Sequence, residues 1–109
     1  MLEKEIQSQF KKLLKMHGFF VMRHNVVTFR KGKIAATAQD SLGMPDLVCC
    51  CNGRFYAFEV KTLKGKQSEY QRQREIEIRM AGGDYYLVRS VDQGAKIIAE
   101  IMGQLRLAI

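Results

Sequence analysis

Asn52-Gly53 stands between two apolar runs, Leu47-Val48-Cys49-Cys50-Cys51 and Arg54-Phe55-Tyr56-Ala57-Phe58, and limits the fold more tightly than any other segment of the chain. A two-residue hairpin turn needs positive φ at both central positions, and Asn-Gly meets that need at little steric cost. With 52 and 53 as the turn, residue 51 faces 54, 50 faces 55, and the pairing carried outward sets Asp46 opposite Glu59. Directly opposed residues point to one face of a sheet, with Cβ atoms about 4.5–5.5 Å apart. Lys61, two residues beyond Glu59, shares that face. One end of one hairpin face therefore gathers two carboxylates and an amine.

Like charges directly opposed on a sheet are destabilising unless something offsets them, and a divalent cation is the natural candidate. Mg²⁺ is a hard ion held by one or two carboxylates together with water and phosphate oxygens. Such an ion activates bound water and stabilises charge on phosphorus oxygens, and a lysine beside it is placed to position the attacking water. Any one of these three residues is accounted for by an ordinary surface pair on a hairpin. All three in this register read as a metal site.

The chain has 109 residues, 47% of them apolar, which is enough for one core and hardly for two. One domain over 1–109 is expected. Lys and Arg total 18 against 11 acids. Eight of these bases fall within the first 33 positions (Lys4, Lys11, Lys12, Lys15, Arg23, Arg30, Lys31, Lys33), against Glu3 and Glu5. That balance favours a polyanionic partner, nucleic acid first. No apolar run reaches the roughly 18 residues of a membrane span, and no signal-peptide core opens the chain, so a cytoplasmic protein is expected. Cys49, Cys50 and Cys51 are consecutive, which suits neither a disulfide framework nor a zinc site, and they read as buried reduced thiols.

Glu3 to His17 reads as a helix, with Ile6, Phe10, Leu13, Leu14 and His17 at helical spacing and Gly18 at its end. Phe19 to Met22 predicts a strand buried on both faces. Residues 28–42 are basic, polar and small, and predict a loop or short ribbon before the hairpin. After Lys64-Gly65-Lys66, Ser68 and Gln71 form a capping box that opens a helix ended by Gly82-Gly83. Asp84 to Val88 is a further strand. Ser90 with Gln93 repeats the box before a last helix, Val91 to Met102. The order α-β-β-β-α-β-α predicts an α/β fold, a mixed sheet flanked by helices. His24-Asn25 lacks the second metal-spaced histidine of a His-Asn nuclease. His17 reads as a core-edge residue, and both histidines as structural or close to DNA.

This order, together with Gly43-Met44-Pro45-Asp46, Glu59-Val60-Lys61, Gly65, Gln71 and Gly82-Gly83, resembles the PD-(D/E)xK nuclease superfamily and, within it, the VRR-NUC family of virus-type replication and repair nucleases. The likeness spans nearly the whole chain. A lone Glu-x-Lys is weak, but its combination with the upstream Gly-x-Pro-Asp and the downstream Gln is fairly specific.

The resemblance implies a restriction-endonuclease-like core and an Mg²⁺- or Mn²⁺-dependent endonuclease acting on DNA. Small stand-alone members resemble Holliday-junction resolvases, which implies branched or flapped DNA as substrate, a homodimer, and a role in phage or bacterial replication and repair. By position, Asp46 and Glu59 would ligate the ion, with the Val60 carbonyl as a third donor, and Lys61 would orient the nucleophilic water. Gln71 would reach the site from its helix, although its capping role accounts for it equally well. The N-terminal acid is Glu3 or Glu5; Glu3 is preferred because it lies on the apolar helix face. Lys11, Lys12, Lys15, Arg30, Lys31, Lys33, Lys64 and Lys66 are the expected DNA contacts. A non-catalytic DNA-binding module and a sequence-specific restriction-type enzyme on the same fold are the alternatives.

Overall fold

The computed structural model describes residues 1–24 and 42–107. The elements run α1 (Glu3–Met16), β1 (Phe20–Arg23), β2 (Leu47–Cys51), β3 (Arg54–Val60), α2 (Glu69–Met80), β4 (Asp84–Val88) and α3 (Val91–Leu107). The strands form a four-stranded sheet in the order β1-β2-β3-β4. The first two pairings are antiparallel and β3 pairs with β4 in parallel, because the α2 crossover returns the chain in the same direction. This is the mixed sheet with flanking helices that the element order predicts. The segment expected as a loop or ribbon at 28–42 lies, apart from Leu42, outside the described residues.

The hairpin forms as its turn chemistry requires. Asn52 and Gly53 have φ of 51° and 78°, and the ladder runs from Leu47 opposite Phe58 to Cys51 opposite Arg54. Pairing stops one residue short of Asp46, which follows Pro45, a residue with no amide hydrogen.

One sheet face carries Leu47, Cys49, Tyr56, Phe58, Val60 and Val88. It packs against Ile6, Phe10 and Leu14 of α1 and Ile98 and Ile101 of α3. Phe10 meets Phe58 edge to face at 5.0 Å. Gly94 of α3 lies so close to Phe10 that a β-carbon there would sit 2.6 Å from the ring. α2 covers part of the opposite face, where Gln67 bridges Glu75 of α2 and Tyr85 of β4.

Four expectations need correction. β1 is not buried on both faces: Phe20 and Met22 are 67% and 57% exposed, since β1 is an edge strand with helical cover on one side. Cys50 is exposed while Cys49 and Cys51 are buried, because alternate residues of β2 point to opposite faces. His17 is not at the core edge; it is exposed and occupies the C-cap of α1. The last helix continues past Met102 to Leu107.

The Ser68–Gln71 box is fully formed. At α3 the Ser90 hydroxyl accepts from the Gln93 N–H, but the Gln93 side chain accepts from Arg89 instead of Ser90. No helix among the described residues is long and apolar enough to cross a membrane.

Candidate active site

Asp46 and Glu59 meet at the open end of the hairpin, where the backbone ladder gives out. The Asp46 carboxylate extends the ladder: its Oδ2 accepts from the Val60 N–H at 2.7 Å. On the far side, the Asp46 carbonyl accepts from the His24 N–H at 2.9 Å, tying the loop before β2 to the end of β1. Asp46 is thus fixed by both neighbouring strands.

Glu59 is 2% exposed, the one charged residue in the buried set among the described residues. Burial is the main cause that pushes its carboxyl up to about 9 from an ordinary 4.5. A hydrogen bond with Asp46 and the Asp46 charge push the same way; Lys61 opposes them, and Glu3 adds a smaller upward push. Glu59 Oε2 is buried with no hydrogen-bond partner among the described residues. A buried carboxylate oxygen left in that state is costly unless something cationic or a proton satisfies it.

Glu59 therefore senses three other residues singled out by sequence, Asp46, Lys61 and Glu3. Glu3 is the residue of α1 whose charge acts on Glu59. Lys61 is anchored at its backbone, where its N–H donates to the Val88 carbonyl at 3.0 Å. Gln71 is engaged as a cap: its Oε1 accepts from the Ser68 N–H at 2.9 Å and its own N–H donates to Ser68 Oγ at 3.2 Å. Gly43 lets the Gly-Met-Pro-Asp segment lie directly on the start of α2. Its φ is +73°, and a β-carbon there would overlap the Tyr70 carbonyl and come within 2.7 Å of the Gln71 nitrogen.

The donor set suits a hard divalent ion. Two carboxylates converge, one with an unsatisfied oxygen. Zinc sites take three or four protein ligands, whereas Mg²⁺ commonly takes one or two carboxylates and keeps water.

Beneath the pair lies a polar network that sequence pattern does not reveal. Gln67 Nε2 donates to Glu75 Oε1 and to the Tyr85 hydroxyl, each at 3.1 Å. Burial, followed by the Glu59 charge, holds the Tyr85 phenol protonated well above its usual range. Nothing in local sequence marks this contact, which joins residues 18 apart through the crossover.

The basic residues are dispersed. Lys11, Lys12 and Lys15 line a groove of about 310 Å³ between α1 and β1 with Gln7, Ser8 and Arg23, and none of these four cations is ion-paired among the described residues. Arg23 belongs with this group although sequence position alone did not select it. Lys64 borders a second cavity of about 470 Å³, and Lys66, two residues on, is exposed. Arg30, Lys31 and Lys33 lie outside the described residues.

Two solved structures share this architecture. The first, described as a VRR_NUC domain, matches over 89% of this chain and 94% of its own, with a TM-score of 0.65 and 23% identity. The chain has the VRR_NUC fold. The second, Hjc of Archaeoglobus fulgidus, a Holliday junction resolvase, matches over 79% of this chain and 67% of its own, with a TM-score of 0.54 and 18% identity. No family model and no curated protein matches the sequence. The restriction-endonuclease-like core expected from the resemblance is thus the fold found, and Asp46, Glu59 and Lys61 stand at the ends of its central hairpin.

Proposed function

We propose that this chain is a metal-dependent endonuclease of the VRR-NUC family that hydrolyses DNA phosphodiester bonds, with branched DNA as its preferred substrate. The observation that carries the reading is the buried Glu59 carboxyl, with one unsatisfied oxygen, set against the half-buried Asp46 and beside Lys61. A purely structural hairpin has no need of such a group, since a buried carboxyl with an unpaired oxygen costs free energy.

In this reading Asp46, Glu59 and the Val60 carbonyl hold Mg²⁺ or Mn²⁺. The ion would supply Lewis-acid stabilisation of the charge that builds on the phosphorus oxygens. Lys61 orients the attacking water by hydrogen bonding and keeps positive charge at the scissile group. Glu3 raises the local negative potential and so favours a cation over a water molecule. Gln71, on the helix that Gly43 brings close, fixes the α2 start beside the site.

DNA affinity comes from Lys11, Lys12, Lys15, Lys64 and Lys66, together with Arg30, Lys31 and Lys33. Charge spread over several segments suits phosphates converging from several arms, and a homodimer doubles it. The setting is phage or bacterial replication and repair, in the cytoplasm.

The test is incubation of the pure protein with duplex, single-stranded, flapped and four-way-junction DNA, with Mg²⁺, with Mn²⁺ and with chelator. Metal-dependent cutting, fastest on branched DNA, is expected. Tight binding without cutting in any metal would leave a non-catalytic DNA-binding module. Cutting of linear duplex at one fixed sequence would make it a restriction-type enzyme.

A further inference from the structure

Arg89 leaves the end of β4 and spans to the turn that follows Lys61. Its Nη1 donates to three carbonyls of that turn: Thr62 at 2.6 Å, Leu63 at 3.2 Å and Gly65 at 2.8 Å. Two hydrogens serve three acceptors, so the carbonyls converge on one nitrogen. No acid is ion-paired with Arg89 among the described residues. The turn is closed further by the Gly65 N–H, which donates to the Thr62 carbonyl at 3.1 Å.

Both ends of this clamp are rigid. The Arg89 N–H donates to Gln93 Oε1 at 2.6 Å, fixing it to the start of α3, and Lys61 is bonded to Val88 immediately before it. The clamped turn runs beside the Lys61 stem: a β-carbon built on Gly65 would make ordinary van der Waals contact, at 3.4 Å, with both Cβ and Cδ of Lys61. A long, flexible lysine therefore has as the neighbour of its stem a turn that has no packed core of its own, with Leu63 82% exposed.

We propose that Arg89 is the positioning residue for Lys61: its guanidinium holds the Thr62–Gly65 turn in the shape that aims the Lys61 ammonium into the carboxylate site. This rests on the reading of Lys61 as the group that orients the nucleophile. Arg89 suits the task because its planar guanidinium stays charged and is pre-oriented for several acceptors.

Arg89→Met keeps the aliphatic stem and removes the donors. Since a misplacement of about 1 Å can lower a rate about 100-fold, this variant is expected to lose about 10- to 100-fold in kcat on four-way-junction DNA. KM for DNA and Mn²⁺ affinity by calorimetry stay within about threefold, because the Arg89 guanidinium is engaged by the turn carbonyls. Arg89→Lys, with three donors for three carbonyls, recovers most of kcat. In a Lys61→Ala background, Arg89→Met has no further effect on the residual rate. A readout free of activity is acetylation of Lys61 relative to Lys12, followed by mass spectrometry. It rises severalfold in Arg89→Met and returns to the wild-type ratio in Arg89→Lys. If Arg89→Met does not fold, Gly65→Val, which leaves Arg89 in place and presses on Lys61, is expected to lose kcat in the same way.

Unchanged kcat with an unchanged labelling ratio overturns the proposal, as does a loss confined to KM, which would make Arg89 a DNA contact. A full additional loss in the Lys61→Ala background also overturns it. A wild-type protein that cuts no DNA in any metal defeats the nuclease reading instead, and the labelling ratio still decides whether Arg89 confines Lys61.

Discussion

Replacing Glu59 with glutamine is expected to stabilise the metal-free protein at neutral and alkaline pH. Burial first, and then Asp46, pushes the Glu59 carboxyl up to about 9, from 4.5 in an open chain. Between those values the folded chain binds a proton that the unfolded chain has released. The contribution to stability is therefore fully present below about pH 4.5 and is lost as pH rises through about 9. At 1.36 kcal/mol per pH unit, the loss at pH 7 has a ceiling of about 3 kcal/mol, and local relaxation lowers it to about 1–3. Glutamine is nearly isosteric, carries no charge, and offers Asp46 an N–H where the protonated carboxyl offers an O–H. Urea unfolding in chelator at pH 5, 7 and 8.5 should show wild type and Glu59→Gln almost equal at pH 5 and diverging in favour of glutamine as pH rises. Saturating Mg²⁺ should reverse the order, since an ion bound only by the folded wild type stabilises it. A stability difference that stays flat from pH 5 to 8.5 in chelator would show that the Glu59 carboxyl does not titrate with folding.

Other expectations follow from the same geometry. Asp46→Asn should weaken Mn²⁺ binding by at least about tenfold in calorimetry, since only one of the two opposed carboxylates remains; an unchanged isotherm means the ion, if bound, sits elsewhere. Gly43→Ala should destabilise the fold by at least about 2 kcal/mol, because the added carbon overlaps the α2 backbone and strains a positive φ; a near-neutral denaturation midpoint would contradict that packing. Neutralising Lys11, Lys12, Lys15 and Arg23 together should lower DNA affinity and flatten its salt dependence by about 0.9 for each phosphate no longer neutralised, with Mn²⁺ affinity unchanged. An unaltered slope would remove the α1–β1 groove from the DNA interface.

Much of this fold is encoded locally. Asn52-Gly53 sets the turn, the turn sets the register, and the register places Asp46 against Glu59 before any tertiary contact is considered. Ser68 with Gln71 starts α2 for equally local reasons. Where contacts are made across the crossover, sequence pattern is silent. Tyr85 meets Gln67 and Arg89 meets Thr62 through the parallel pairing of β3 with β4, and no spacing in the chain announces either contact. The apolar run at Phe19–Met22 misleads because hydrophobicity alone does not distinguish a central strand from an edge strand; Phe20 and Met22 face outward because helices cover β1 on one side. Cys50 misleads for the related reason that a short apolar run hides its alternation.

If Asp46, Glu59 and Lys61 form the cutting centre while phosphate contacts lie elsewhere, cleavage and binding must separate on mutation. Single-turnover cleavage of a labelled four-way junction, measured beside junction binding on the same preparations, puts this to the test. Wild type should cut in Mg²⁺ or Mn²⁺ and not in chelator. Glu59→Ala and Lys61→Ala should each reduce cutting to a small residual rate while binding stays within about threefold, because catalysis depends on the site and affinity on the dispersed bases. Wild-type cleavage rates in either variant would mean that the cutting centre lies elsewhere.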